Sequence, residues 1–340
     1  MGFRWANDSR IDLKHLLPAI LLLCVLHAWR EALAQPVSSV LWHPSDHTHV
    51  WYAKGSLQVG SGSRPTAPSI SMPLSMPRVR ALAFAPKGDW LMAAGGQPGE
   101  YGAIQQLRWP SGETLNRWEF GQDWFNALTL RADGSLLALG GADGRLSLLG
   151  LDQPEFGDQP AKAWRAHSDA ITDLQFDPTG QWLLSAGADR VIKLWQCSDW
   201  GLHRSLDAHT DMIHSLDLRP YSQGDTVAED AWQVASASSD QTIRIWQPML
   251  GRMVRIIRPG PLPQLAVAYH RSGRWLASAG QESTIYLLDA DSDRILDQIP
   301  TQQDWIYSLS FSPDGTVLMA GDWLGEVQSY PVPESLTRMP

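Results

Sequence analysis

Two trios of residues could do chemistry: His167, Ser185 and Asp189, and then His209, Ser236 and Asp240. A serine oxygen activated by an imidazole that a carboxylate orients is the machinery of acyl transfer. A second candidate is "HPSDHTH", with His43, Asp46, His47 and His49. Imidazole and carboxylate suit zinc or copper, and His47 and His49 would share a face if the segment is a strand. The competing expectation for it is a plain surface turn. Beyond residue 34 the chain carries no G-x-x-x-x-G-K-[ST], no G-x-S-x-G, no H-E-x-x-H and no C-x-x-C.

The two serines sit in two copies of one phrase, "LSAGADRVIKLW" (184–195) and "VASASSDQTIRIW" (234–246). The duplication belongs to a longer period. A turn recurs as "FAPKGDWL" (84–91), "LRADGSLL" (130–137), "FDPTGQWL" (176–183), "YHRSGRWL" (269–276) and "FSPDGTVL" (311–318), with looser copies at "LWHPSDHTHVWY" and "LRPYSQGDTVAEDAWQV". Aligning Pro44, Pro86, Ala132, Pro178, Pro220, Arg271 and Pro313 gives seven units spaced 42 to 51 residues apart. Within each unit, apolar runs of strand length alternate with Pro/Gly and Gly/Asp turns, and no sustained helical periodicity follows residue 34. Four short antiparallel strands per unit, seven times over, predict an all-β, seven-bladed β-propeller in a single domain over 35–340. Six regular blades plus a loose N-terminal segment is the alternative.

These units resemble the WD-repeat family over nearly the whole chain after residue 34. The resemblance implies that His167, Ser185, Asp189 and Trp195, and His209, Ser236, Asp240 and Trp246, are hydrogen-bonded structural tetrads. A buried indole N–H needs an acceptor, Ser can bridge, and a turn Asp can accept from His. Trp at the fourth place gives each serine a structural task, so no catalytic residue is assigned. The departures are Leu149 and Leu288 in place of Trp, Pro259–Pro263 in place of one His-bearing loop, and Gln after Trp195 and Trp246. Closure of the ring is expected from "SLTRMP", residues 335–340, as the outer strand of the last blade.

The composition, 44% hydrophobic and 19% charged, is that of a globular chain with a sizeable core. Arg4, Arg10 and Lys14 precede the apolar run Leu16–Leu26, and Ala32 and Ala34 stand where a signal peptidase needs small residues. We expect residues 1–34 to be a signal peptide cleaved after Ala34, with the protein periplasmic or extracellular. The alternative is an uncleaved membrane anchor, though the run falls short of the roughly 20 residues a span needs. Cleavage leaves one cysteine, Cys197, and a net charge of −10. That charge argues against nucleic acid and anionic membranes as partners. No cofactor and no metal is expected, and the chain by itself is expected to be monomeric.

Function should then lie on a surface. On one end of the ring the loops read "QDWFNAL", "SDAITDL", "TDMIHSL" and "QDWIYSL". They nominate Asp123, Trp124, Phe125, Asp169, Asp211, Met212, Asp304, Trp305 and Tyr307 as a protein-binding surface, apolar groups ringed by acids. The resemblance implies a docking platform at this end. The plain expectation is that these residues shape turns and pack between blades. The opposite end receives the insertions 60–77, 152–161 and 221–230. The function expected is a protein-binding scaffold or assembly factor of a bacterial cell envelope. The alternative is a propeller enzyme, a metal-dependent hydrolase or lyase using carboxylates at the channel mouth.

Overall fold

The recurring Gly of the Pro/Gly turn fixes the first hairpin of five units. Gly88, Gly134, Gly180, Gly273 and Gly315 all take positive φ between 67 and 75°, a region that costs a residue with a Cβ roughly 1–2 kcal/mol. Each donates its N–H to the carbonyl three residues back, Ala85, Arg131, Asp177, His270 and Ser312, at 2.8–3.0 Å. Repeating one turn at one register repeats one sheet.

The computed structural model describes residues 36–45, 47–62, 70–151, 160–221, 232–303 and 305–337. They form a seven-bladed β-propeller of antiparallel sheets, spanning 40–73, 79–120, 125–165, 171–206, 213–257, 264–300 and 306–331. The strands of each blade follow sequence order from one edge to the other. Blades 1 to 6 have four strands, and three are described for blade 7. Helix is confined to Glu334–Thr337 among the described residues.

Seven clusters of buried apolar side chains fill the seven interfaces between blades. The cluster that decides the blade count joins Val40 and Trp51 of blade 1 to Val317 and Met319 of blade 7. Segment 36–42 is therefore part of the ring and not a loose extension. Trp42 Nε1 donates to the Ser310 carbonyl at 3.3 Å, the Val37 N–H to the Asp322 carbonyl at 2.9 Å, and Ser308 Oγ to the Val37 carbonyl at 3.0 Å.

The expectation for the C-terminus is corrected. Residues 334–337 are helical and add no strand to blade 7. Pro331 and Pro333 lack the N–H groups that a ladder needs. The tail instead turns aside and buries Val332 and Leu336 among Trp275, Ile285, Leu287 and Leu318, between blades 6 and 7. The Val332 N–H donates to the Thr316 carbonyl at 2.9 Å. We expect Leu336→Ala to lower stability by about 2 kcal/mol; an unchanged urea midpoint would show that the tail does not pack.

The third strand of blade 7, Val327–Pro331, has no fully buried residue, whereas its counterparts in the other blades are largely buried. The insertion at 60–77 is corrected in part, because Ile70–Pro73 within it is the outer strand of blade 1. Residues 63–69, most of 152–161 and most of 221–230 lie outside the described residues, as do 1–35. Among the described residues no helix is long and apolar enough to cross a membrane.

Candidate functional site

The first strands of the blades wall a central channel of about 470 Å³. In blades 2 to 7 the pairing of the first two strands slips by one residue after its first pair. Val79 faces Gly95 and Ala81 faces Ala94; Ile171 faces Gly187 and Asp173 faces Ala186. The same slip occurs at Phe125, Ile213, Gln264 and Ile306. A bulge re-aims the residue it leaves unpaired. The residues so placed are Arg80, Asn126, Thr172, His214, Leu265 and Tyr307, and all but Leu265 line the channel. They form a polar collar at its mouth, on the end where each first strand begins.

Collar chemistry is dominated by donors. Arg80 lies with its guanidinium carbon 5.3 Å from the Trp124 ring, and Arg78 is 5.7 Å from the same ring. His214 Nε2 is 2.7 Å from Ser239 Oγ, and burial pushes its pKa down to about 4 against the pull of Asp211. Asn126 Nδ2 donates to the Ile171 carbonyl at 3.2 Å. Trp305, 42% exposed, lies 6.0 Å from Trp323, which is 6.3 Å from Tyr307.

Below the collar, carboxylates staple one blade to the next. Asp173 Oδ2 accepts the Leu216 N–H at 2.7 Å, and Asp217 Oδ2 accepts the Tyr269 N–H at 2.6 Å. Burial pushes the Asp173 carboxyl up to about 7, against the N–H groups that pull it down. Burial also pushes Asp217 up to about 7, and the Asp173 charge adds to the shift. Neither residue was singled out from the sequence. The available signal was a carboxylate inside the otherwise apolar strands "ITDLQF" and "IHSLDL".

The residues nominated for the surface divide. Asp123 Oδ1 accepts the Gly99 and Trp124 N–H groups, Asp169 Oδ1 that of Ala170 and Asp211 Oδ1 that of Met212, so each shapes its own turn. Asp169, Asp211 and Trp305 are exposed, and Trp124, Met212 and Tyr307 are half-buried. Phe125 is corrected from surface to core. It is buried against Phe120 at 5.1 Å, and a Cβ on Gly102 would meet its ring. Asp304 lies outside the described residues. The expectation of apolar groups ringed by acids alone omits Arg78 and Arg80, which were not foreseen.

Both Ser–His–Asp–Trp sets are hydrogen-bonded chains. Trp195 Nε1 donates to Ser185 Oγ at 2.9 Å, Ser185 Oγ is 2.7 Å from His167 Nε2, and His167 Nδ1 is 2.9 Å from Asp189 Oδ1. The second chain runs Trp246, Ser236, His209, Asp240 at 2.8, 2.7 and 2.8 Å. One assignment satisfies every atom: the carboxylate accepts from Nδ1–H, Nε2 accepts from the serine, and the serine accepts from the indole. Burial pushes Asp189 up, but the bonds from His167 and the Ser168 N–H outweigh it and hold it at about 2. Ser185 and Ser236 are fully buried, so neither oxygen meets a substrate. Blades 6 and 7 fasten themselves differently. Ser278 Oγ donates to Gln264 Oε1, and Gln303 Nε2 donates to the Ala320 and Glu326 carbonyls.

The histidines of "HPSDHTH" diverge. His43 Nε2 bonds the Gly88 carbonyl of blade 2 at 3.0 Å. His49 is buried between Trp51 and Trp42 on the side of blade 7, and burial pushes its pKa down to about 4. His47 precedes the strand Thr48–Ala53 and is exposed, so it does not share a strand face with His49. Asp46 lies outside the described residues. Among the described residues no three His, Cys, Asp or Glu groups converge as a metal site.

The family "WD domain, G-beta repeat" matches residues 158–196, 200–247 and 294–328. The first two matches contain the two tetrads. Each match begins at the outer strand of one blade and ends in the third strand of the next, so the sequence repeat straddles two blades. The chain is 31% identical over 160 residues to the nuclear distribution protein nudF of Aspergillus niger, covering 46% of this chain and 34% of that protein. It is 26% identical over 188 residues to the transcriptional corepressor LEUNIG_HOMOLOG of Arabidopsis thaliana, covering 55% of this chain and 22% of the other. The aligned part is a minority of each relative's length.

Proposed function

We propose that this propeller is a protein-binding scaffold or assembly factor of a bacterial cell envelope, exported with residues 1–34 removed after Ala34. The partner docks at the collar end of the channel. The observation that supports this reading is Trp305. Its indole is 42% exposed, a large aromatic side chain presented to solvent at the collar end. Trp323 and Tyr307 extend the same aromatic surface, and Trp124 stands at the same end of the ring beneath Arg78 and Arg80, residue types that anchor protein interfaces. The nuclear distribution protein and the transcriptional corepressor are named for cellular processes and not for reactions, and only that much is carried over.

The test is affinity capture from an envelope fraction with the wild type, Trp305→Ala and Trp124→Ala. The expected result is a defined partner whose recovery falls at least tenfold in both variants while the melting temperature is unchanged. Equal recovery by all three would sink the docking site. An N-terminus beginning at Gln35 in the isolated protein would support export with cleavage.

A further inference from the structure

The collar holds uncompensated positive charge. Arg80 Nε is buried and has no hydrogen-bond partner among the described residues. Neither Arg80 nor Arg78 is in an ion pair among the described residues. Two like charges share the Trp124 ring. Stacking on an indole attracts a cation only weakly compared with the water a buried guanidinium gives up. Burial pulls Arg80 below the usual arginine range, and the Arg78 charge adds to that pull against the opposing influence of Tyr307. In a chain of net charge −9, this is a local field of the opposite sign. Tyr307 stands close by on blade 7, so the collar offers donors from two blades.

We propose that the collar captures a carboxylate, the side chain of Glu or Asp in an extended segment of the docking partner. Trp124 and Trp305 pack against the apolar residues on either side of it. The fork of Arg80 supplies paired N–H donors matched to two carboxylate oxygens. A single negative charge fits better than a dianionic phosphate, because Asp123 beside Trp124 already thins the positive field. The inference rests on the docking reading above and adds the chemistry of the docked group.

The probe is a fluorescein-labelled peptide, Ala-Leu-Glu-Leu-Ala, with versions carrying Gln, Lys or phosphoserine at the centre, followed by fluorescence anisotropy on the full chain. The Glu peptide is expected to bind saturably, and the Gln and Lys versions at least tenfold more weakly. Raising salt from about 50 to about 500 mM should weaken the Glu peptide strongly and the Gln peptide little. Arg80→Met should abolish the preference for Glu over Gln, with an unchanged or higher melting temperature, and Arg80→Lys should keep part of it. If Arg80→Met unfolds, the salt dependence of the wild type still decides. Equal binding of Glu and Gln peptides would overturn the inference, and tighter binding of the phosphoserine peptide would replace it with phosphopeptide recognition. Capture of the native partner that depends on Trp305 but not on Arg80 would defeat the inference and spare the docking reading. Capture that depends on neither would defeat both.

Discussion

Trp246→Ala is expected to lower the stability of the folded protein by about 4 kcal/mol, a large share of what a single domain possesses. Two losses combine. The indole is 2% exposed and packs with Leu216, Trp232 and Val234 at the interface of blades 4 and 5, so its removal leaves a cavity. Its N–H is also the donor that satisfies Ser236 Oγ at 2.8 Å. Trp246→Phe separates the two, since it keeps most of the volume and deletes the donor, and its cost should be about 1–3 kcal/mol. Ser236→Ala should fall in the same range, because it strands the indole N–H and His209 Nε2 together. Urea midpoints of the three variants check this ordering. Labelling of Ser185 or Ser236 by a fluorophosphonate in the folded protein would contradict it at the root, because a bridging serine has no free lone pair facing solvent.

The second large effect is in pH. Unfolded aspartates titrate near 3.9, whereas burial pushes Asp173 and Asp217 up to about 7 in the fold. Between about pH 4 and pH 7 these two carboxyls therefore hold more protons in the fold than in the unfolded chain, and their own contribution to stability falls as pH rises through that window. Asp189 has the opposite sign. It is held at about 2, so its contribution is complete above the unfolded value and is lost only as pH falls toward 2. His49 and His214 also carry the opposite sign: pushed down to about 4 by burial, they cost stability below the unfolded value of 6.5. The carboxylates' share, roughly 2 kcal/mol between about pH 5 and about pH 8 after discounting for partial solvent access, is therefore read against a variant that lacks one of them. Asp217→Asn keeps an oxygen for the Tyr269 N–H and removes one charge. Its stability relative to the wild type should rise from about pH 5 to about pH 8. A difference between variant and wild type that is the same at about pH 5 and about pH 8 would show that Asp217 titrates normally.

The fold was readable because its signals are short in range and often repeated. A Gly at positive φ and an apolar strand on each side need no partner beyond the hairpin, and aligned copies at Pro86, Pro178 and Pro313 reinforce one another. The tetrad pattern is visible for a similar reason, since Ser185, Asp189 and Trp195 lie within one hairpin and only His167 comes from outside it. The collar was harder to see. Arg80 and His214 reach the channel through a slip in strand pairing, and a slip leaves no mark in an alternating pattern. Phe125 illustrates the cost: it follows an exposed loop directly, yet the same slip turns it inward against Phe120. The C-terminal segment is helical and not a strand because Pro331 and Pro333 bring no N–H to a ladder, a local signal that the need for a closed edge does not override.

The ring also has a clasp. Six interfaces between blades are crossed by the chain itself, whereas the one between blades 7 and 1 is held by side-chain packing, by the bonds of Val37, Trp42 and Ser308, and by the attraction of His47 for Asp314. Its cluster holds six buried residues where the others hold ten to twelve. Opening of the torus should start at that seam. Force applied to the two chain ends would load it directly, and amide exchange there should outpace that at the other six junctions.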